Sequence, residues 1–399
     1  MSDYALDQPP ALPPAAPPAA APDARAHRWA GVRRWAWELA PPLLVYGLVC
    51  ALQLTLMAAL RQPGTPSLGR LLLSWDGHLF LEVAEHGYPG PGAPRDASGH
   101  WLGSNLAFFP VFPVLVRAAR ELTGLSFGDS ALLVSRTAGA LAAVLLHRLF
   151  TRLYDRRTAL FAVLLVLAQP MAVVLGMGYS EAVFLACAAG ALLAAHRGAW
   201  GAAAFAGLLA GLSKPSGLAV GLALLLAAAL TDHQKVRAFA AASAACLATP
   251  GYLLWVGLRT GRADGWFRIQ RAGWGTELDW GRHSWDYVTD QLTGGTAWVD
   301  VSIALLAIAA VGGCLLALPQ RPWPPLALYG VLVTALALGQ SNYSSCKPRL
   351  LVPALLFLLP AAVALGRARP RAAWPLAGAA LLTGSWYGAY LLTVWQSVI

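Results

Sequence analysis

What most constrains this chain is a succession of long, nearly charge-free apolar runs separated by short turns that carry arginine. A helix needs about 20 apolar residues to cross a bilayer core. Runs of that kind fall at about residues 39–60, 129–149, 159–176, 181–196, 199–213, 216–231, 236–257, 298–318, 325–340, 349–366 and 372–395. The chain therefore reads as an all-α, polytopic integral membrane protein with about eleven transmembrane helices. Composition agrees, since 12% of the 399 residues are charged and 57% hydrophobic, against roughly 25% charged in a soluble domain. A net charge of +10 would raise nucleic acid as the partner of a soluble protein. Here the arginines sit in turns, where they orient helices against headgroups and membrane potential, so no nucleic-acid role is expected.

Residues 1–37 read as a disordered, Pro/Ala-rich cytoplasmic tail, and residues 38–399 as the transmembrane domain. The first 23 residues lack the basic start and apolar core of a cleaved signal, so the first apolar run acts as an uncleaved anchor. Arg25, Arg28, Arg33 and Arg34 precede that run and by the positive-inside rule place the N-terminus in the cytoplasm of a cell membrane. Residues 61–128 then form an outer loop, and the turns at 176–181, 213–217, 259–297 and 340–349 face the same side. Within the first loop, Leu71 to Gly87 looks helical, with Leu79, Phe80, Val83 and Ala84 on one side and His78, Glu82 and Glu85 on the other, as suits a helix in the interface. Residues 106–123 begin apolar but carry Pro110, Pro113, Arg117, Arg120 and Glu121, which leaves a re-entrant or interfacial segment. Arginine outnumbers the three lysines and alanine is abundant, a composition that suggests a GC-rich bacterial genome. Cys50, Cys187, Cys246 and Cys314 lie in apolar runs as small hydrophobes, with no disulfide framework.

Candidate chemistry gathers on the outer side. Asp76 follows Trp75 at the start of the interfacial helix, where a general base meets both a polar acceptor and a lipid-borne donor; helix capping is the alternative. His78 and Glu82 lie one turn apart with Glu85 and His86 nearby, but no third ligand stands at a diagnostic spacing, and a solvated polar face is the plainer account. No cofactor is indicated, although a divalent ion between Asp76, Glu82 and a donor phosphate is conceivable. Tyr179 and Glu181 open a span, where the acid serves chemistry or simply complements the helix dipole. Lys214, Lys347 and Arg349 are cations on turns, suited to a phosphate leaving group or to snorkelling. Gly/Pro turns at membrane depth are tolerated only where buried or lining a cavity, which favours the first role. Arg136 sits inside a span, a functional position by default, with Asp129 or the donor phosphate as partners. Trp266, Trp274, Trp280 and Trp285 in the 259–297 loop suit either sugar stacking or interfacial anchoring. No GxGxxG, P-loop or GxSxG motif stands in a strand–helix context, which argues against a soluble nucleotide-sugar site.

Trp75-Asp76, Phe80-Leu81, Val83-Ala84-Glu85-His86-Gly87-Tyr88, Ala107-Phe108-Phe109-Pro110 and Pro113 occur in that order. Together they resemble the signature of the class V glycosylphosphatidylinositol mannosyltransferases and their bacterial relatives. Tyr179-Ser180-Glu181, Lys214-Pro215-Ser216-Gly217 and Pro348-Arg349-Leu350-Leu351-Val352-Pro353 match later landmarks, so the resemblance spans about residues 38–395. It implies a GT-C type membrane glycosyltransferase that moves mannose, with inversion, from a polyprenyl-phosphate-mannose donor to an extracytoplasmic lipid or glycan acceptor. The family's acid maps to Asp76 as general base; Lys214, Lys347 and Arg349 are assigned to the phosphate from charge and side. Many relatives have Arg where Lys214 stands and Tyr where Leu351 stands. Membrane lipids are the other expected partners, and protein partners are left open. The rivals are a protein O-mannosyltransferase acting on Ser/Thr and a glycolipid transporter or flippase. The latter calls for internal repeats or paired broken helices, which the sequence does not show.

Overall fold

The apolar runs do form helices, but fewer of them than expected are long enough to cross a bilayer unaided. In the computed structural model, the structure describes residues 24–88 and 105–395, with side chains from Glu38 onward; the start of the expected tail and the Pro/Gly loop after Tyr88 lie outside the described residues. The first helix begins at Ala24, inside the stretch assigned to the tail, and runs through Pro41 and Pro42 to Leu60. Residues from Pro41 onward form one compact unit, and those before it another. Among the described residues, Glu38–Leu60, Phe127–Leu153, Lys235–Thr260 and Trp298–Gln320 are long and apolar enough to span. Ser344–Leu351 and Leu355–Arg367 make a fifth candidate, bent by 72°. The expected count of about eleven is therefore not reproduced, and the reason is local. The run at 159–176 is helical only over Arg156–Leu167 and continues past Pro170 as a 3-10 turn, Ala172–Gly176. Glu181–His196, Trp200–Gly211, Gly217–Ala229 and Pro324–Leu338 are helices of 10–17 residues, about 15–25 Å long at helical rise, short of a core about 30 Å thick. The protein is nonetheless a multi-pass membrane protein, almost entirely helical.

In the stretch expected to form the first outer loop, the helix expected from Leu71 starts later. A short turn, Leu68–Leu71, is followed by a break, and the motif helix runs Asp76–His86. The break is at Trp75, whose φ of 53° and ψ of −121° are foreign to a helix. There the Gly77 N–H closes a turn onto the Ser74 carbonyl at 3.1 Å. The two faces of the motif helix are as expected: Phe80, Val83 and Ala84 are buried, while His78, Glu82 and Glu85 are exposed. A second, amphipathic helix, Val111–Thr123, buries Val111, Phe112, Pro113 and Val116 beside it. Arg117 of that helix donates to the Ala84 and Glu85 carbonyls at 2.7 and 3.0 Å. Carbonyls left open by the end of the motif helix are thereby satisfied by a cation, which the helix dipole also favours there.

Small residues let the central helices approach. Gly221 of Gly217–Ala229 faces Cys246 of Lys235–Thr260 so closely that a Cβ would lie 2.8 Å from the Cys246 backbone nitrogen. Backbone proximity of this kind is the usual basis of helix association in lipid. On the exposed loops, a two-residue antiparallel ladder pairs Glu277 with Ser341 and Leu278 with Gln340. It ties the loop at 259–297 to the one at 340–349. Asp155 caps Arg156–Leu167, accepting from the Thr158 hydroxyl and from the Arg157 and Thr158 N–H groups. Those bonds, the Thr158 hydroxyl first, hold its carboxyl below the usual range.

Candidate active site

The five segments read from sequence as facing one side of the membrane meet at a single cleft of about 970 Å³, its open mouth included. Asp76 and Phe80 come from the motif helix, and Phe108 and Phe109 from the segment before Pro110. Tyr179 and Glu181 open one helix, Lys214 sits on the next turn, and Trp266, Gln270 and Trp274 come from the large loop. Asn342, Tyr343 and Arg349 line it from the far end of the chain.

At its floor lies a buried network of four charges. Arg349 donates from Nη1 to Asp76 Oδ2 at 2.8 Å, and its Nε stands 3.6 Å from Glu181 Oε1. Lys214 Nζ donates to the same Glu181 oxygen at 2.8 Å. The four side chains are between 3% and 15% exposed. Two acids against two bases make the network neutral, which is the condition under which charges tolerate burial. Asp76 is the first residue of its helix and gives its carboxylate to Arg349, so the capping alternative does not describe it.

Each charge is held by its surroundings. The Tyr179 hydroxyl donates to the Ser74 carbonyl at 2.9 Å, and the Gly178 N–H donates to the Leu72 carbonyl at 2.9 Å, pinning the turn that presents Asp76. The Tyr179 ring lies 5.2 Å from the Arg349 guanidinium carbon, a cation–π arrangement. Past Arg349 the chain unwinds between Leu351 and Leu355, and its carbonyls need partners at membrane depth. Gln169 supplies one to Val352 at 2.9 Å and Tyr329 one to Pro353 at 2.9 Å. Lys214 stands on a turn closed by Gly217, where a Cβ would fall on the Ala210 carbonyl. Thr249 caps the preceding helix at the Gly211 carbonyl, 2.9 Å away. The aromatic wall is held the same way: Tyr88 and Tyr252 hydroxyls donate to the Phe108 carbonyl at 2.8 and 2.6 Å, and Phe80 packs edge-on to Phe108 with centroids 4.7 Å apart.

Of the residues singled out by sequence, Asp76, Tyr179, Glu181, Lys214, Trp266, Trp274 and Arg349 share the cleft. The others lie elsewhere. Trp75 packs against the main hydrophobic core, and His78 and Glu82 point to the exposed face of the motif helix. Arg136 lies near Tyr46 and Cys50 of the first helix. Lys347 is buried and donates to the Gln340 carbonyl at 2.9 Å, bracing the start of the segment that carries Arg349. In the large loop Trp266 and Trp274 line the cleft, whereas Trp280 and Trp285 are 87% and 70% exposed. Asn342 was not singled out; the signal was a polar stretch, Gln340 to Ser345, between two apolar runs. Among the described residues no three His, Cys, Asp or Glu side chains converge as a metal site would require.

A family model described as dolichyl-phosphate-mannose-protein mannosyltransferase matches residues 109–255, a stretch with Glu181 and Lys214 but neither Asp76 nor Arg349. GPI alpha-1,6-mannosyltransferase 2 of Mus musculus is 36% identical over 179 residues, 42% of this chain and 32% of that protein. Over that stretch the chain is similar to this mannosyltransferase. It spans about a third of the length of the curated class V relatives it matches. Its fold is of the GT-C kind: the crystal structure of apo ArnT from Cupriavidus metallidurans matches with a TM-score of 0.50 at 20% identity, over 83% of this chain and 61% of that one. The form bound to undecaprenyl phosphate matches with a TM-score of 0.50 at 18% identity, over 84% and 61%.

Proposed function

We propose that this protein transfers mannose from a polyprenyl-phosphate-mannose donor to an extracytoplasmic lipid or glycan acceptor, with inversion at the anomeric carbon. The observation that carries the reading is the pairing of Asp76 with Arg349 beside Glu181 and Lys214 in one cleft. A base, and cations able to take a phosphate, stand within one network. The names of the mouse relative and of the lipid-bound ArnT form, which carry a mannosyl activity and undecaprenyl phosphate, supply the donor class.

The chemistry follows from the charges. The donor is a phosphodiester with one negative charge. Its phosphate competes with Asp76 for Arg349, and as Arg349 turns to the phosphate the Asp76 carboxylate is released to accept a hydrogen bond from the acceptor hydroxyl. Asp76 then takes the acceptor hydroxyl proton while the acceptor oxygen bonds to the anomeric carbon and the bond from that carbon to the phosphate oxygen breaks. The leaving polyprenyl phosphate gains a second negative charge, which Arg349 and Lys214 stabilise where it develops.

The test is transfer by the purified full chain in detergent, with radiolabelled polyprenyl-phosphate-mannose and a lipid extract of the host, alongside Asp76→Asn. Label should move to a new lipid or glycan product with the wild type only; wild-type rates in Asp76→Asn refute the assigned base. A second arm offers Ser/Thr peptides, because the family model that matches residues 109–255 is named for protein acceptors. Label on peptide alone would replace the lipid acceptor with a protein one. If no label moves in either arm, the transfer reading fails and lipid flipping in vesicles is measured instead.

A further inference from the structure

Buried polar atoms in folded proteins nearly always have a partner, and leaving one unmet is costly. Among the described residues, three side chains that line the cleft carry such an atom: Glu181 Oε2, Asn342 Oδ1 and Arg349 Nε. Arg349 Nε still faces Glu181 Oε1 at 3.6 Å, so its charge is answered. The two oxygens are acceptors, and they ask for a ligand that brings donors. A phosphodiester has none, and neither has a polyprenyl tail. Sugar hydroxyls are donors, and they answer a carboxylate and an amide alike, whichever way the amide is turned. We infer that Glu181 Oε2 and Asn342 form the hydroxyl-reading subsite for the transferred sugar, so that Asn342 is a specificity residue of this cleft. The inference rests on the transfer reading above.

The surroundings fit a sugar ring. Glu181 is 3% exposed and one ion-pair step from Arg349, which itself holds Asp76. A ring placed against it lies between the phosphate cations and the base, where the transferred group must be. Trp274 and Phe108, with centroids 5.4 Å apart, line the same space and offer apolar surface to the C–H faces of the ring. Division of labour follows: Arg349 and Lys214 bind the phosphate whatever it carries, while Glu181 and Asn342 distinguish what it carries. A site built to pair with a hydroxyl discriminates strongly against an analogue that lacks it, because its own buried group is then left unmet.

Asn342 carries the test, since it makes no ion pair whose loss would unsettle the cleft. Binding to the purified full chain is measured with two probes, polyprenyl phosphate and polyprenyl-phosphate-mannose, and with a series of monodeoxy-mannosyl donors. In Asn342→Leu, affinity for the mannosyl donor should fall about tenfold, the 1.4 kcal/mol equivalent of one hydrogen bond, with polyprenyl phosphate bound as in the wild type. One deoxy donor should then bind both proteins equally, and Asn342→Asp, which keeps an acceptor oxygen, should recover the preference for the full sugar. Equal weakening of both probes, or no change for the mannosyl donor, overturns the inference while leaving transfer by the wild type intact. Failure of the wild type to bind either probe removes the transfer reading and this inference with it.

Discussion

Two sets of ion pairs in this molecule differ in almost every respect. In the large loop, Arg262 and Arg268 pair with Asp264, Arg271 with Glu277, and Arg282 with Asp286; partners are two to six residues apart and 36–86% exposed. In the cleft, Lys214 reaches Glu181 across 33 residues and Arg349 reaches Asp76 across 273, with every side chain nearly buried. The first kind forms wherever charges neighbour one another in water and contributes little. The second kind requires desolvation that mutual attraction barely offsets. A fold that keeps it is keeping it for something other than stability.

That contrast can be broken in graded steps. The largest effect expected is on turnover: Asp76→Asn should lower transfer by about 10²–10⁴-fold, the usual contribution of a general base, with an unfolding midpoint in detergent that falls less than that of Glu181→Leu because Arg349 keeps Glu181 as an anion. Next is Glu181→Leu, which leaves Lys214 and Arg349 without their anion; loss of a buried partner costs about 3–5 kcal/mol. Thermal unfolding should show the drop, and the double variant Glu181→Leu/Lys214→Met should recover most of it. Gly217→Ala forces a methyl onto the Ala210 carbonyl; overpacking of this sort costs about 1–3 kcal/mol and should reduce donor binding by displacing Lys214. The smallest effect belongs to the loop. Arg282→Ala breaks an exposed pair one helical turn apart, 3.8 Å long, and should change stability by no more than about 0.5 kcal/mol. A larger drop there than in Glu181→Leu would overturn the comparison.

The sequence revealed what local pattern can encode. The amphipathic faces of the motif helix, the short Val111–Thr123 segment and the turns holding Tyr179, Lys214 and Arg349 were legible because periodicity and turn chemistry act over a few residues. Their convergence was foreshadowed only as a shared side of the membrane. Which acid meets which base was not legible, since Asp76 and Arg349 are brought together by packing of everything between them. The span count failed for a related reason. Hydropathy sums over the Gln169–Pro170 break and over the unwound Val352–Ala354 stretch, whose carbonyls accept from the Gln169 and Tyr329 side chains rather than from a helix. Lys347 looked like a second phosphate cation, yet its ammonium is committed to the Gln340 carbonyl. Trp75 stands beside the expected base in the motif, and its backbone marks where the motif helix begins.

The 273-residue separation of Asp76 and Arg349 also sets a clock. At about 5–20 residues per second of synthesis, the acid emerges roughly 15–55 s before the arginine that neutralises it. Glu181 waits a shorter time for Lys214. During that interval each carboxylate must stay hydrated or take up a proton, so the helices that border the cleft cannot settle into their final contacts in lipid until the last third of the chain has been inserted. The Asp76–Arg349 pair is thereby among the late contacts of the fold, and a nascent chain truncated before Arg349 holds the acid without the means to bury it.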